Sequence, residues 1–139
     1  MTDPILRKTM FLAAPRQRVW DYLTTPDALE RWFYRADAVL TRGVDYTLYG
    51  KNDDGSKKRL CWGRVTEADA PARLSYSFTA LPMNGLVTQV VWTLDEVAGG
   101  TRLSLEHSGF PAGAEAFDLL VAFDAGWEKH LGAMRQSLS

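Results

Sequence analysis

Cysteine is nearly missing from this 139-residue chain, where Cys61 stands alone. No internal disulfide can form, so nothing ties the chain to an oxidising compartment. Histidine is scarce too, with only His107 and His130. Together with Cys61 these three ligand types never fall at metal-binding spacing on one element, and no metal site is expected. Neither sign of charge dominates, with 16 Lys and Arg against 17 Asp and Glu. A nucleic-acid backbone demands clustered cations, which removes that class of partner. The one basic cluster, Lys57-Lys58-Arg59, follows Asp53-Asp54 and reads as a solvated turn. No segment reaches the roughly 18 apolar residues of a membrane span. The opening Met1-Thr2-Asp3-Pro4 lacks a basic stretch leading into an apolar one, so cytoplasm is the expected compartment. Gly43, Gly63 and Gly85 are isolated and cradle no phosphate, no Ser-His-acid arrangement appears, and no cofactor is expected.

Aromatic residues, by contrast, are plentiful at 12% with five Trp. Residues 5–13 read as a first strand with two apolar sides, Leu6, Met10 and Leu12 on one and Ile5 and Phe11 on the other. Pro15 then fits the first turn of a helix with Val19, Trp20 and Leu23 as its stripe. Thr25 as cap, Pro26 as first helical residue and Asp27 near the positive dipole end start a second, with Leu29, Trp32 and Phe33 on one face. From about residue 36 to 108 the period is two. Val44, Tyr46 and Leu48 share a face; Asp54-Gly55 marks a hairpin; Leu60 and Trp62 resume, and Gly63 suits a bulge or bend. Leu74, Tyr76 and Phe78 alternate with Ser75, Ser77 and Thr79; Val90, Trp92 and Leu94 follow. Gly99-Gly100 turns the chain onto Leu103, Leu105 and His107. Consecutive hairpins predict one antiparallel meander. Residues 114–138 switch to helical spacing, with Phe117, Leu120, Phe123, Trp127, Leu131, Met134 and Leu138 on one stripe. Such a helix would run about 37 Å. No linker interrupts residues 1–139, which predict a single α+β domain: a curved antiparallel sheet of six to seven strands around a long C-terminal helix.

A curved sheet has one broad apolar face, and a single helix covers only part of it. Large side chains or a ligand must fill the remaining space. The expected lining is Trp32, Phe33, Trp62, Tyr76, Phe78, Trp92, His107, Phe123 and Trp127, around a pocket of about 300–1,000 Å³ if a drug-sized molecule is held. The bland alternative is that these rings meet and fill the core. His107 is the one candidate acid–base residue, since strand parity turns it inward with Leu103 and Leu105, while Glu106 points away. The reading the residues favour over this is a buried histidine hydrogen-bonded to neighbouring backbone. Asp124 either faces the cavity with a shifted pKa or lies solvated at the stripe's edge. Glu128 and His130 read as flanking surface. Cys61, out of phase with Leu60 and Trp62, reads as outward-facing and inert.

Local motifs sharpen this picture. Ala14-Pro15-x-x-x-Val19-Trp20-x-x-Leu23-Thr24-x-Pro26-x-x-Leu29-x-x-Trp32-Phe33 is followed by Gly63-x-Val65-x-Glu67 and by Pro71-x-Arg73-Leu74. Then come Gly99-Gly100-Thr101-x-Leu103-x-Leu105-x-His107-x-Gly109-Phe110 and Gly126-Trp127. This series resembles the START-like helix-grip superfamily, also called SRPBCC, and within it the branch related to the activator of heat-shock-protein-90 ATPase. The resemblance implies the helix-grip fold and a ligand cavity between sheet and long helix. It implies no reaction, because members range from lipid carriers to cyclases and chaperone regulators.

Three functions compete. The residues favour a noncatalytic binder or carrier of a small hydrophobic molecule, since no convincing catalytic set is present. A cyclase- or hydrolase-like enzyme would use His107 and Tyr76 on one cavity wall. A module regulating a chaperone ATPase, or another protein partner, would expose an apolar patch on the sheet's outer face.

Overall fold

A computed structural model describes residues 4–139; residues 1–3 of the expected domain lie outside the described residues. Strand β1 (Leu6–Leu12) leads into helices α1 (Arg16–Thr24) and α2 (Pro26–Trp32). Strands β2 (Arg35–Ala36), β3 (Asp45–Lys51), β4 (Lys57–Asp69), β5 (Arg73–Ala80), β6 (Thr88–Val97) and β7 (Gly100–Ser108) follow, and helix α3 (Phe117–Leu138) ends the chain. The strands form one antiparallel seven-stranded sheet in the order β1-β7-β6-β5-β4-β3-β2. The meander is thus complete from β2 to β7, and β1 returns to pair with β7, Leu6 opposite His107 and Leu12 opposite Thr101. The sheet curls around α3 in the helix-grip manner. No helix among the described residues is long and apolar enough to cross a membrane.

The two-sided β1 resolves through its partners. Leu6, Met10 and Leu12 are buried, and Phe11 is 62% exposed on the outer face. In the helix pair, Pro15 occupies the cap position of α1, one residue earlier than expected. Thr25 stands where α2 begins, but its hydroxyl donates back to the Asp21 carbonyl (2.8 Å), closing α1 instead of capping α2. Leu23, Leu29 and Trp32 are buried beneath both helices, and Trp32 Nε1 donates to the Tyr22 carbonyl at 2.7 Å.

Strand β4 departs from strict alternation. Tyr49 pairs with Arg59 and Leu48 with Cys61, which leaves Leu60 as an extra residue in a bulge. The bulge resets the facing of everything after it. Cys61 turns inward and is buried, whereas Trp62 turns outward, with the Arg59 guanidinium 3.7 Å above its ring. A second bulge follows between Val65 and Glu67. Gly63 lies between the two bulges where β5 approaches closely: a Cβ there would fall 1.9 Å from the Ser77 carbonyl oxygen. Lys57, Lys58 and Arg59 belong to the start of β4, as exposed strand and not a turn. Val44 precedes β3 and is exposed, so only Tyr46 and Leu48 of that trio enter the core. Gly99, at φ +91°, makes the tight turn between β6 and β7.

Helix α3 starts three residues later than the periodicity predicts, after a short 3₁₀ turn at Ala114–Ala116. Its 22 residues span about 33 Å, enough to lie across the sheet. Trp127, Leu131, Met134 and Leu138 are buried, while Phe117, counted in the same stripe, is 61% exposed. The helix therefore docks firmly through its C-terminal half and stands off the sheet at its N-terminal half.

Candidate functional site

The stand-off leaves a cleft of about 290 Å³, partly open to solvent. One wall is α3, through Leu119, Ala122, Phe123, Gly126, Trp127 and His130. These positions recur at steps of three, four, seven and eight, one helical face. Opposite stand Leu60 and Cys61 of β4, Phe78 and Ala80 of β5, and Leu81-Pro82 at the turn after β5; Phe33 and Tyr34 close the side nearest α2. Gly126 contributes emptiness, since a Cβ there would meet nothing within 4 Å. Leu60 and Cys61 both reach the cleft because of the bulge between them and β3.

Of the expected lining, Phe33, Phe78, Phe123 and Trp127 stand together at the cleft. Trp32, Tyr76, Trp92 and His107 instead form a solid aromatic floor beneath it. Trp92 meets Trp32 and Trp127 edge-on at 5.9 and 5.6 Å, and Trp92 Nε1 donates to the Tyr76 hydroxyl at 2.9 Å. Trp62 does not line the cavity at all, for the parity reason given above. Sequence reading missed Tyr34, Leu60, Cys61, Ala80, Leu81, Pro82, Leu119, Ala122, Gly126 and His130. The small residues Ala122 and Gly126, four apart on one helix face, were the legible sign that this face leaves room.

His107 is not placed for acid–base chemistry. Trp127 Nε1–H donates to its Nδ1 at 3.0 Å, so the remaining ring hydrogen sits on Nε2, 2.7 Å from the Thr88 hydroxyl. Thr88 in turn donates to the Phe78 carbonyl at 2.7 Å. Every polar atom of this buried relay is used, and Phe110 and Phe123 pack against the ring. Burial pushes the His107 pKa down to about 3, which keeps it neutral. The Tyr76 hydroxyl lies in the same closed core, its pKa raised by burial. The pair expected of an enzyme therefore faces no open space.

Asp124 takes its edge position. Its half-exposed carboxylate lies 2.7 Å from Lys8 of β1, and Glu128 lies 3.0 Å from the same ammonium. Burial alone would lower the Lys8 pKa, but its bonds to the two carboxylates raise it overall. Cys61 is inert by burial and not by outward facing, its thiol pushed up to about 12. His130, expected at the surface, is half-buried on the cleft wall. Its Nδ1 lies 3.1 Å from the Trp32 carbonyl, and burial holds its pKa below the ordinary imidazole range.

On the outer sheet face, Phe11 is the one large exposed apolar residue carried by a described strand. The remaining exposed large apolar residues lie ahead of β1, between strands or on α3. The broad outer patch expected of a chaperone-regulating module is not present among the described residues.

A curled seven-stranded sheet gripping one long helix, with a cleft at the helix's loose end, defines a helix-grip, START-like protein. Residues 13–139 match the family described as "Activator of Hsp90 ATPase homolog 1-like protein", and the chain belongs to that family. Solved structures agree on the fold. Protein MLL2253 from Mesorhizobium loti is 22% identical, with a TM-score of 0.79 over 96% of this chain and 95% of that one. Protein BH1534 from Bacillus halodurans is 26% identical over the whole of both chains, with a TM-score of 0.77. DynU16, a protein in the dynemicin biosynthetic locus, is 26% identical with a TM-score of 0.78; the match covers 99% of this chain and 48% of that one. No curated protein matches the sequence.

Proposed function

We propose that the protein is a noncatalytic binder or carrier of a small, mainly apolar molecule held in the cleft between α3 and strands β4 and β5. One observation carries the reading: about 290 Å³ of space walled by Phe33, Leu60, Phe78, Leu119, Phe123 and Trp127. Its size stands at the lower edge of small-molecule pockets, which run from about 300 Å³. No lining residue carries a formal charge, so a ligand gains chiefly by removing carbon surface from water, at about 25 cal/mol per Å² before the costs of association. The locked state of His107 and Tyr76 favours binding over catalysis. The likeness to DynU16, which belongs to a biosynthetic locus, supports an organic small molecule as occupant.

Gly126→Leu tests this directly, because the new side chain would project into open space and fill the cleft. Wild-type protein should bind an environment-sensitive apolar fluorophore at one site per chain, and the variant should lose at least about tenfold in affinity with its melting temperature unlowered. Equal affinity in the two proteins would remove the cleft as the binding site.

A further inference from the structure

Polar side chains in the aromatic floor are satisfied from within. Trp32 reaches Tyr22, Trp92 reaches Tyr76, Trp127 reaches His107, and His107 reaches Thr88. Among the described residues only the Thr79 hydroxyl is a fully buried side-chain polar atom without a partner. At the cleft the pattern changes. The Trp32 carbonyl can only accept, so His130 Nδ1 must carry the hydrogen in their 3.1 Å bond. In the neutral ring that leaves Nε2 bare, an acceptor that no described residue engages. The Tyr34 hydroxyl, on the same wall, has no hydrogen-bond partner among the described residues either.

We infer that His130 sets the chemistry of the ligand: its Nε2 accepts a hydrogen bond from one neutral hydroxyl or N–H group on an otherwise apolar molecule in the cleft. The inference rests on the binding reading above and deepens it. The acceptor is held in place before any ligand arrives. The Trp32 carbonyl fixes one edge of the ring, and Phe33 and Tyr34 pack edge-on against it at 4.8 and 5.5 Å. A fixed acceptor costs little ordering on binding. The imidazole stays neutral, since burial lowers its pKa and neighbouring Lys129 acts the same way, the Trp32 bond opposing both in part. With no Lys or Arg in the lining, an anionic head would lose its hydration without gaining a counter-charge. A cationic head fares no better, for the lining holds no Asp or Glu. The occupant that fits is a phenol, an alcohol or an N–H heterocycle of about two fused rings.

Naphthalene and 2-naphthol differ by one hydroxyl and separate the possibilities when titrated by calorimetry near neutral pH. Hydrophobicity alone ranks naphthalene first. The inference expects 2-naphthol to bind about three- to tenfold tighter, the worth of one net hydrogen bond. His130→Phe keeps a ring against Phe33 and Tyr34 and should erase that preference, read as the ratio of the two affinities within the variant; His130→Gln, which restores an acceptor, should recover part of it. As a reading independent of the variants' folding, the Nε2 nitrogen resonance of His130 in the wild type should move with 2-naphthol and stay put with naphthalene. If both compounds bind equally and that resonance is unmoved, the inference falls while the cleft reading stands. If neither binds, the cleft reading falls and takes the inference with it.

Discussion

At the scale of single residues, burial decides what each imidazole can do. His107 is fully enclosed, with both nitrogens in a relay that ends on the Phe78 carbonyl. Its folded pKa, about 3, lies below the ordinary 6.5 of the unfolded chain. Below 6.5 the unfolded chain therefore takes up a proton that the folded chain refuses. The stability tied to this group is whole above pH 6.5 and is lost as pH falls toward about 3. The loss approaches about 1.4 kcal/mol per pH unit where the two states differ by a full proton. Urea unfolding of wild type and His107→Gln across this window isolates it, because carboxylates and His130 contribute to both proteins. The wild type should show the steeper decline, though from a higher starting stability, since glutamine cannot rebuild both ring contacts. Parallel curves would mean that His107 is protonated or solvated in the fold.

At the scale of elements, the sequence speaks clearly wherever alternation is unbroken. Leu74, Tyr76 and Phe78, like Leu103, Leu105 and His107, declare their inward face because side chains alternate across a pleat. Alternation cannot register an added residue. Leu60 carries no mark that it sits in a bulge, so Trp62 reads as inward and Cys61 as outward, the reverse of the structure. The same blindness hides how far a helix stands from its sheet, so Phe117 reads as core from its spacing alone. Gly63 is legible as special but not as to why: it keeps β4 clear of the Ser77 carbonyl, 1.9 Å from where a Cβ would sit. Gly63→Ala must push β4 and β5 apart at the centre of the sheet, since the obstacle is backbone and cannot rotate away. A loss of about 2–4 kcal/mol in chemical denaturation is expected. A loss below about 0.5 kcal/mol, the ordinary scatter of harmless substitutions, would show that the strands have slack there.

At the scale of the molecule, α3 divides into two halves with different work. Its fully buried side chains all lie from Trp127 onward, and none lies in residues 117–126. The N-terminal half is held by partly buried contacts such as Phe123 and by the Lys8–Asp124 ion pair, whose half-exposed carboxylate limits its worth to about 1 kcal/mol. The cleft lies under that half because packing there was never completed, and a ligand would complete it. Local opening energies follow buried apolar contact, so amide exchange should be uneven along one continuous helix. Past its first turn, where amides lack helical partners, residues 121–126 should exchange at least about tenfold faster than residues 131–137, which lie beyond the cleft lining. Saturating the cleft with 2-naphthol should slow the first group strongly and the second little, because only the first gains new contacts. Uniform protection along α3 would show that the helix opens as one body. Ligand protection confined to residues 131–137 would place the occupant away from the cleft. The uneven pattern ties the fold to its use: the C-terminal half of the helix holds the sheet's core together, and the N-terminal half leaves a space for a guest to fill.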